Sequence, residues 1–178
     1  MDNRRAWLVA GLATLGAGCG GAPATLTAAD VTNIPPGTGT GSVVSGSYSI
    51  TKAAFDDCNC RAGECSTLHA QPMGRFQVTQ QNGALTVLVD DQNGGSATMT
   101  GGVNADNSFK VGQAVMNTTS GFAQVTHAWT LMTGTFAVNN GRSSSLHGEE
   151  SSTVLSQVLG RTYDCDVRLS FDAEAASP

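Results

Sequence analysis

The sequence predicts an all-β protein, a single antiparallel up-and-down β-barrel of about eight strands, with a β-sandwich as the alternative. Two observations predict it. Apolar residues recur at every second position, most clearly near the end of the chain, where they are Tyr163, Cys165, Val167, Leu169 and Phe171. This period is typical of a strand with one buried and one wet face, which antiparallel sheets permit. Asn-Gly pairs at 82–83, 93–94 and 140–141 are hairpin signals.

Strand character and turn signals divide the second part of the chain into about eight segments. The stretch 152–159 fits a short helix as well as a strand. Short successive hairpins favour a meander, and closing the meander into a barrel removes its exposed edges. We therefore expect the barrel, with strands at residues 42–51, 73–80, 84–90, 96–103, 108–117, 125–138, 142–150 and 161–172.

The N-terminus has the pattern of a secretory signal peptide. Two cations, Arg4 and Arg5, precede an apolar run from Ala6 to Gly18 that is too short to span a bilayer. Two cleavage sites compete. Ala22-Pro23-Ala24 fits an ordinary cut after Ala24, and the residues before Cys19 offer a second cut. We expect residues 1–18 to be removed as a signal peptide.

The stretch Leu15-Gly16-Ala17-Gly18-Cys19-Gly20 resembles the lipobox of bacterial lipoproteins, with Leu15 one place earlier than the family's aliphatic residue. In that family the cysteine is lipidated and becomes the first residue. The resemblance implies lipidation of Cys19, and Gly20 implies sorting to the outer membrane. The alternative is a periplasmic or secreted protein.

Residues 19–41 are rich in Gly, Pro, Thr and Ala, and predict a flexible tether before a barrel domain at 42–174.

Loss of residues 1–18 changes the net charge from −5 to −6, because Arg4, Arg5 and Asp2 leave with them. So acidic a chain lacks the basic surface that nucleic acid requires. We expect a monomer with no nucleic-acid partner and no cofactor.

Four cysteines remain when Cys19 is set aside, and an exported protein uses an even number of them for disulfides. They are Cys58, Cys60, Cys65 and Cys165. A bond between Cys58 and Cys60 would close a very tight ring. Two pairings stay open, Cys58–Cys65 with Cys60–Cys165, or Cys58–Cys165 with Cys60–Cys65.

Residues 42–172 together resemble the calycin (lipocalin-like) barrels. The lipocalin Gly-x-Trp sequence near the first strand is matched by Gly46-Ser47-Tyr48, with tyrosine in place of tryptophan. The resemblance implies a carrier of small apolar ligands. An aromatic residue beside polar neighbours is what a small-ligand pocket uses, so His127, Trp129 and Leu131, which share one strand face, are candidates if that face lines the barrel's interior.

Other residue clusters point less clearly to chemistry. Cys58, Cys60, Cys65 and His69 could hold zinc or copper, but their spacing and the oxidising context favour disulfides over a metal. Glu149 and Glu150 are adjacent, so on a strand they would point to opposite faces, which argues against paired acid/base catalysis. We therefore expect a non-catalytic envelope lipoprotein with a binding or structural role, contacting a small ligand or an envelope protein. The rivals are a lipocalin-like carrier and a metal-dependent or hydrolytic enzyme that uses the Cys58–His69 cluster.

Overall fold

The computed structural model describes residues 23–65, 74–90, 96–120 and 123–176. Eight antiparallel strands follow one another around a closed barrel, with each strand paired to its neighbours in sequence and β8 paired to β1. The prediction of an up-and-down barrel is confirmed. The strands are β1 (Gly46–Ala62), β2 (Arg75–Gln81), β3 (Ala84–Asp90), β4 (Ser96–Val103), β5 (Ser108–Ser120), β6 (Ala123–Asn139), β7 (Arg142–Val158) and β8 (Arg161–Ala175).

Two of the three Asn-Gly pairs lie in two-residue turns, as expected. Asn82 has φ 53° between β2 and β3, and Asn140 and Gly141 have φ 52° and 74° between β6 and β7. Asn93-Gly94 lies outside the described residues. The ambiguous stretch 152–159 is mostly strand, and β7 ends in a third such turn at Leu159 and Gly160, with φ 51° and 78°.

The barrel has two levels, because its strands differ in length. β2 pairs with β1 only over residues 46–49 of β1, and β4 pairs with β5 only over residues 109–112 of β5. Above this level β5, β6, β7, β8 and β1 continue as five paired strands. We call the closed part the lower barrel and the continuation the upper wall (residues 55–62, 113–120, 123–130, 150–158 and 161–169).

Aromatic rings fill the lower barrel. The rings of Phe76 and Phe171 are 5.3 Å apart, and Phe136 lies 5.6 Å from Tyr48 and 5.0 Å from Phe109. Two glycines make room for them. A Cβ on Gly148 would lie 2.7 Å from the Phe171 ring, and one on Gly134 would lie 2.7 Å from that of Phe109.

Residues 37–45 close the bottom of the lower barrel. The Gly37 amide donates to the Gly83 carbonyl at 2.8 Å, and the Gly39 amide donates to that of Val103 at 2.9 Å. The side chain of Val44 is buried, and its carbonyl accepts a 2.8 Å hydrogen bond from the Tyr48 hydroxyl. The described barrel is thus sealed at one end by its own chain.

The segment before this seal crosses the outer face of the barrel, and we call residues 25–34 the strap. The Leu26 amide donates to Thr153 Oγ1 at 2.7 Å, and helix α1 (Ala28–Thr32) packs on β5 and β6. Val31 is 2% exposed, and its carbonyl lies 2.5 Å from where a Gly112 Cβ would stand. The expectation of a flexible tether over 19–41 is therefore wrong for residues 25–41, because apolar burial and backbone hydrogen bonds hold them to the barrel.

No helix among the described residues is long and apolar enough to cross a membrane.

Candidate functional site

The inner face of the upper wall follows from strand register. Side chains alternate between faces along a strand, so residues paired with inner residues also point inward. Starting from the buried core residues Phe171 and Met132, the register gives successive inner rows across the five strands. The row at the boundary with the lower barrel contains Phe55, Leu169, Glu150, Met132 and Val111. The row above it contains Cys58, Val167, Ser152, Thr130 and Gln113.

Of the side chains in these two rows, Glu150 is the acidic one. It sits on β7 between the inner apolar residues Leu146 and Val154, and it is 6% exposed. Its direct cross-strand partners are Leu169 on β8 and Met132 on β6, neither of which offers a hydrogen bond. Burial raises the pKa of the Glu150 carboxyl to about 7, against the opposing effect of a hydrogen bond from Ser152.

One oxygen of Glu150 is satisfied and the other is not. Ser152 Oγ donates to Glu150 Oε1 at 3.2 Å and lies 3.2 Å from the hydroxyl of Thr130. Glu150 Oε2 is buried and has no hydrogen-bond partner among the described residues. A buried polar atom without a partner is uncommon in native proteins and calls for an explanation. A donor placed against this oxygen from the inner side of the wall would satisfy it.

Around this carboxyl the inner surface is partly accessible. Phe55, Leu169, Val167 and Gln113 are half-buried although they face inward. The lower barrel is different, since its inward side chains are almost completely buried. The arrangement offers a mostly apolar concave surface with one carboxyl and a few hydroxyl and amide groups, which are the usual components of a small-molecule site.

Glu149 and Glu150 lie on opposite faces, as the sequence predicted, with Glu149 exposed and Glu150 buried. The position of Glu150 on the inner face of the barrel was not predicted. The signal was present in the alternation of β7, where Leu146, Gly148, Glu150, Ser152 and Val154 form one face. A carboxyl inside an inward-facing set stands out only once that face is known to be the inner one.

The cysteines form two disulfides, Cys58–Cys65 and Cys60–Cys165. This is the first of the two pairings left open by the sequence. Cys60 and Cys165 face each other directly across β1 and β8. The sulfurs of Cys58, Cys60 and Cys65 lie within 4.8 Å of one another, but their thiols are used in disulfides. His69, the fourth member of the proposed cluster, lies outside the described residues.

His127, Trp129 and Leu131 share a strand face as expected, but that face points outward. Their neighbours Met132 and Phe136 take the inner positions of β6. The rings of His127 and Trp129 stack at 4.0 Å, and the three side chains are half-buried. The condition under which they would line a ligand pocket, that this face is the barrel's interior, is therefore not met, since strand alternation puts them on its outer surface.

A second buried carboxylate, Asp166, lies on the outer face of β8 and is 1% exposed. It accepts hydrogen bonds from Thr25 at 2.7 Å, from Thr153 at 2.6 Å and from Arg61 at 2.6 Å. Burial alone would raise the pKa of Asp166, but these hydrogen bonds outweigh it and the pKa lies below its ordinary value. Side chains of β8 point alternately to the two faces as expected, yet Asp166 on the outer face is buried because the strap covers it, and Arg168 and Ser170 are half-buried.

Cys19 lies outside the described residues. No known protein-family model matches the chain, and no curated protein is significantly similar to it.

Proposed function

We propose that this protein is a non-catalytic lipoprotein of the bacterial cell envelope, whose upper wall binds a small, mostly apolar molecule that carries one hydrogen-bond donor. The observation that carries the binding role is that Glu150 Oε2 has no partner in the part of the chain that the structure describes, on an inner surface that is otherwise largely apolar. This role matches the small-ligand carriage that the likeness to calycin barrels implies.

The chemistry of Glu150 favours an amine as the donor. With a pKa of about 7, the carboxyl exchanges its proton near neutral pH. A protonated amine beside it would favour the ionised form and lower this pKa. The apolar part of the ligand would then lie against Phe55, Leu169 and Val167, which are half-buried and face inward.

The test uses n-octylamine as the probe and n-octanol as its uncharged counterpart, with the folded full domain in calorimetric titrations at pH 8. We expect the amine to bind more tightly than the alcohol, and Glu150→Gln to abolish that preference. Glu149→Gln is the matched control, because it removes the same charge from the exposed neighbour. If neither probe binds, or if both substitutions have the same effect, the proposed site is wrong.

The anchoring part of the proposal concerns Cys19. Six residues along the chain from Cys19, Thr25 is fixed to Asp166 on the outer face of β8. A fully extended segment of six residues spans at most about 20–22 Å. A lipid on Cys19 would therefore hold the barrel close to the bilayer surface.

Metabolic labelling with radioactive palmitate tests the anchor. Wild type should be labelled, and Cys19→Ser should not, since the acyl chains follow from modification of that cysteine. Equal labelling of the two proteins contradicts lipidation. A mature N-terminus at Thr25 would favour the secreted alternative, in which the strap and the barrel remain as described.

A further inference from the structure

The two disulfides lie against each other in the upper wall, where β1 pairs with β8. Cys58, Cys60 and Cys165 occupy inner positions of neighbouring rows on β1 and β8. The Sγ atom of Cys60 is 3.6 Å from that of Cys58 and 3.4 Å from that of Cys65. One sulfur of the Cys60–Cys165 bond is thus in contact with both sulfurs of the Cys58–Cys65 bond.

Solvent reaches the sulfurs of the two bonds unequally. Cys58, Cys65 and Cys60 are half-buried, whereas Cys165 is 1% exposed, so both ends of the Cys58–Cys65 bond can be attacked but only one end of Cys60–Cys165. Disulfides are reduced when a thiolate attacks one of the sulfurs, so access to that sulfur limits the rate. A reductant in solution should therefore meet Cys58–Cys65 more readily than the sulfur of Cys165.

We propose that the two bonds form an exchange pair, in which electrons enter at Cys58–Cys65 and free Cys165. An external dithiol first reduces Cys58–Cys65, and is itself oxidised to its disulfide. The thiolate of Cys65 then attacks Cys60 Sγ. The Cys60–Cys65 bond forms, the Cys60–Cys165 bond breaks, and Cys165 leaves as a thiolate that takes a proton from water.

The exchange step consumes no further electrons, because one disulfide is lost and one is made. Its structural effect is large, since Cys60–Cys165 joins β1 to β8 while Cys60–Cys65 lies within one short segment. Reduction of Cys58–Cys65 would thus remove the covalent link between β1 and β8 in the upper wall. The upper wall would then respond to the redox state of the envelope, whether or not it binds a ligand near Glu150.

Limited reduction of the folded protein tests this. The full domain is treated with one molar equivalent of dithiothreitol, quenched at intervals with N-ethylmaleimide, and mapped by peptide mass spectrometry without reduction. We expect molecules in which Cys58 and Cys165 are alkylated and Cys60 is bonded to Cys65. If every molecule with one disulfide keeps Cys60–Cys165 and carries alkylated Cys58 and Cys65, the proposal is overturned.

A double variant, Cys58→Ser with Cys65→Ser, supplies the matched control. It keeps Cys60–Cys165 but has no neighbouring thiol to deliver electrons, so Cys165 should become alkylated about tenfold more slowly than in wild type, or slower still. Equal rates would mean that the reductant reaches Cys60–Cys165 directly, which also overturns the exchange pair. Should the variant fail to fold, the wild-type peptide map decides alone.

Discussion

The lower barrel and the upper wall share five long strands, yet they bury their inner faces in different ways. Where eight strands close a ring, every inward side chain has an opposite wall, and Phe76, Phe109, Phe136 and Phe171 fill the space. Where five strands continue alone, the inner face is only partly buried, since Phe55 and Val167 stay half-buried beside the buried Glu150, and two disulfides join the strands and the segment after β1. We therefore expect the lower barrel to contribute most of the stability of the fold. The upper wall can then carry a polar site at a smaller cost in stability.

The largest effect should come from truncating side chains on one face of β8. Phe171 is 1% exposed in the lower barrel, whereas Leu169, two residues away on the same face, is half-buried in the upper wall. We expect Phe171→Ala to cost about 3–5 kcal/mol of unfolding free energy and Leu169→Ala about 1–2 kcal/mol. Urea melts of both variants measure the difference. Similar costs would mean that the two levels are equally well packed.

A smaller effect, which depends on pH, should come from Glu150. The carboxyl has an ordinary pKa of 4.5 when unfolded and about 7 when folded, so between these values the folded protein keeps a proton that the unfolded chain has lost. Stability contributed by the neutral carboxyl is thus full below pH 4.5 and is lost as the pH rises through 7. The loss is about 3 kcal/mol.

Urea melts at pH 4, 6 and 8 check this sign. Glu150→Gln cannot ionise, so its stability relative to wild type should rise by about 3 kcal/mol across the series. Glu149→Gln, the exposed neighbour, should follow wild type. Parallel curves for wild type and Glu150→Gln would show that this carboxyl is not shifted by burial.

Periodicity and turn residues were sufficient to predict the lower barrel. Strands β3 and β4 have the predicted bounds, and Asn-Gly turns lie at 82–83 and 140–141. The upper wall was underestimated because its strands are irregular. β1 continues to Ala62 through register shifts at 51, 56 and 61, and such bulges interrupt the alternation on which the prediction depended.

The candidate site was harder to predict than the fold. Period two assigns residues to faces, but it does not say which face is inside, so His127 and Trp129 were candidates for a ligand pocket and Glu150 was not. The burial of Asp166 on the outer face was not predicted, for a related reason. Nothing in the alternation of β8 indicates that a distant segment at residues 25–34 covers Asp166.

The smallest predicted effect on stability tests whether residues 25–34 form a docked strap or a free tether. Val31, on the barrel-facing side of α1, is 2% exposed, whereas Asn33, two residues later, is exposed. Truncating Val31 to alanine removes two buried carbon atoms, so we expect a cost of about 1.5–2 kcal/mol in unfolding free energy. Asn33→Ala should stay within about 0.5 kcal/mol of wild type, as exposed substitutions usually do. Both values come from urea melts, with amide hydrogen exchange at Leu26 as a second measurement, because its amide donates to Thr153 only while the strap is docked.

If Val31→Ala melts like wild type and the Leu26 amide exchanges freely, the segment is a tether after all. The 20–22 Å limit on the distance between Cys19 and the barrel would then no longer hold, because it depends on Thr25 being fixed.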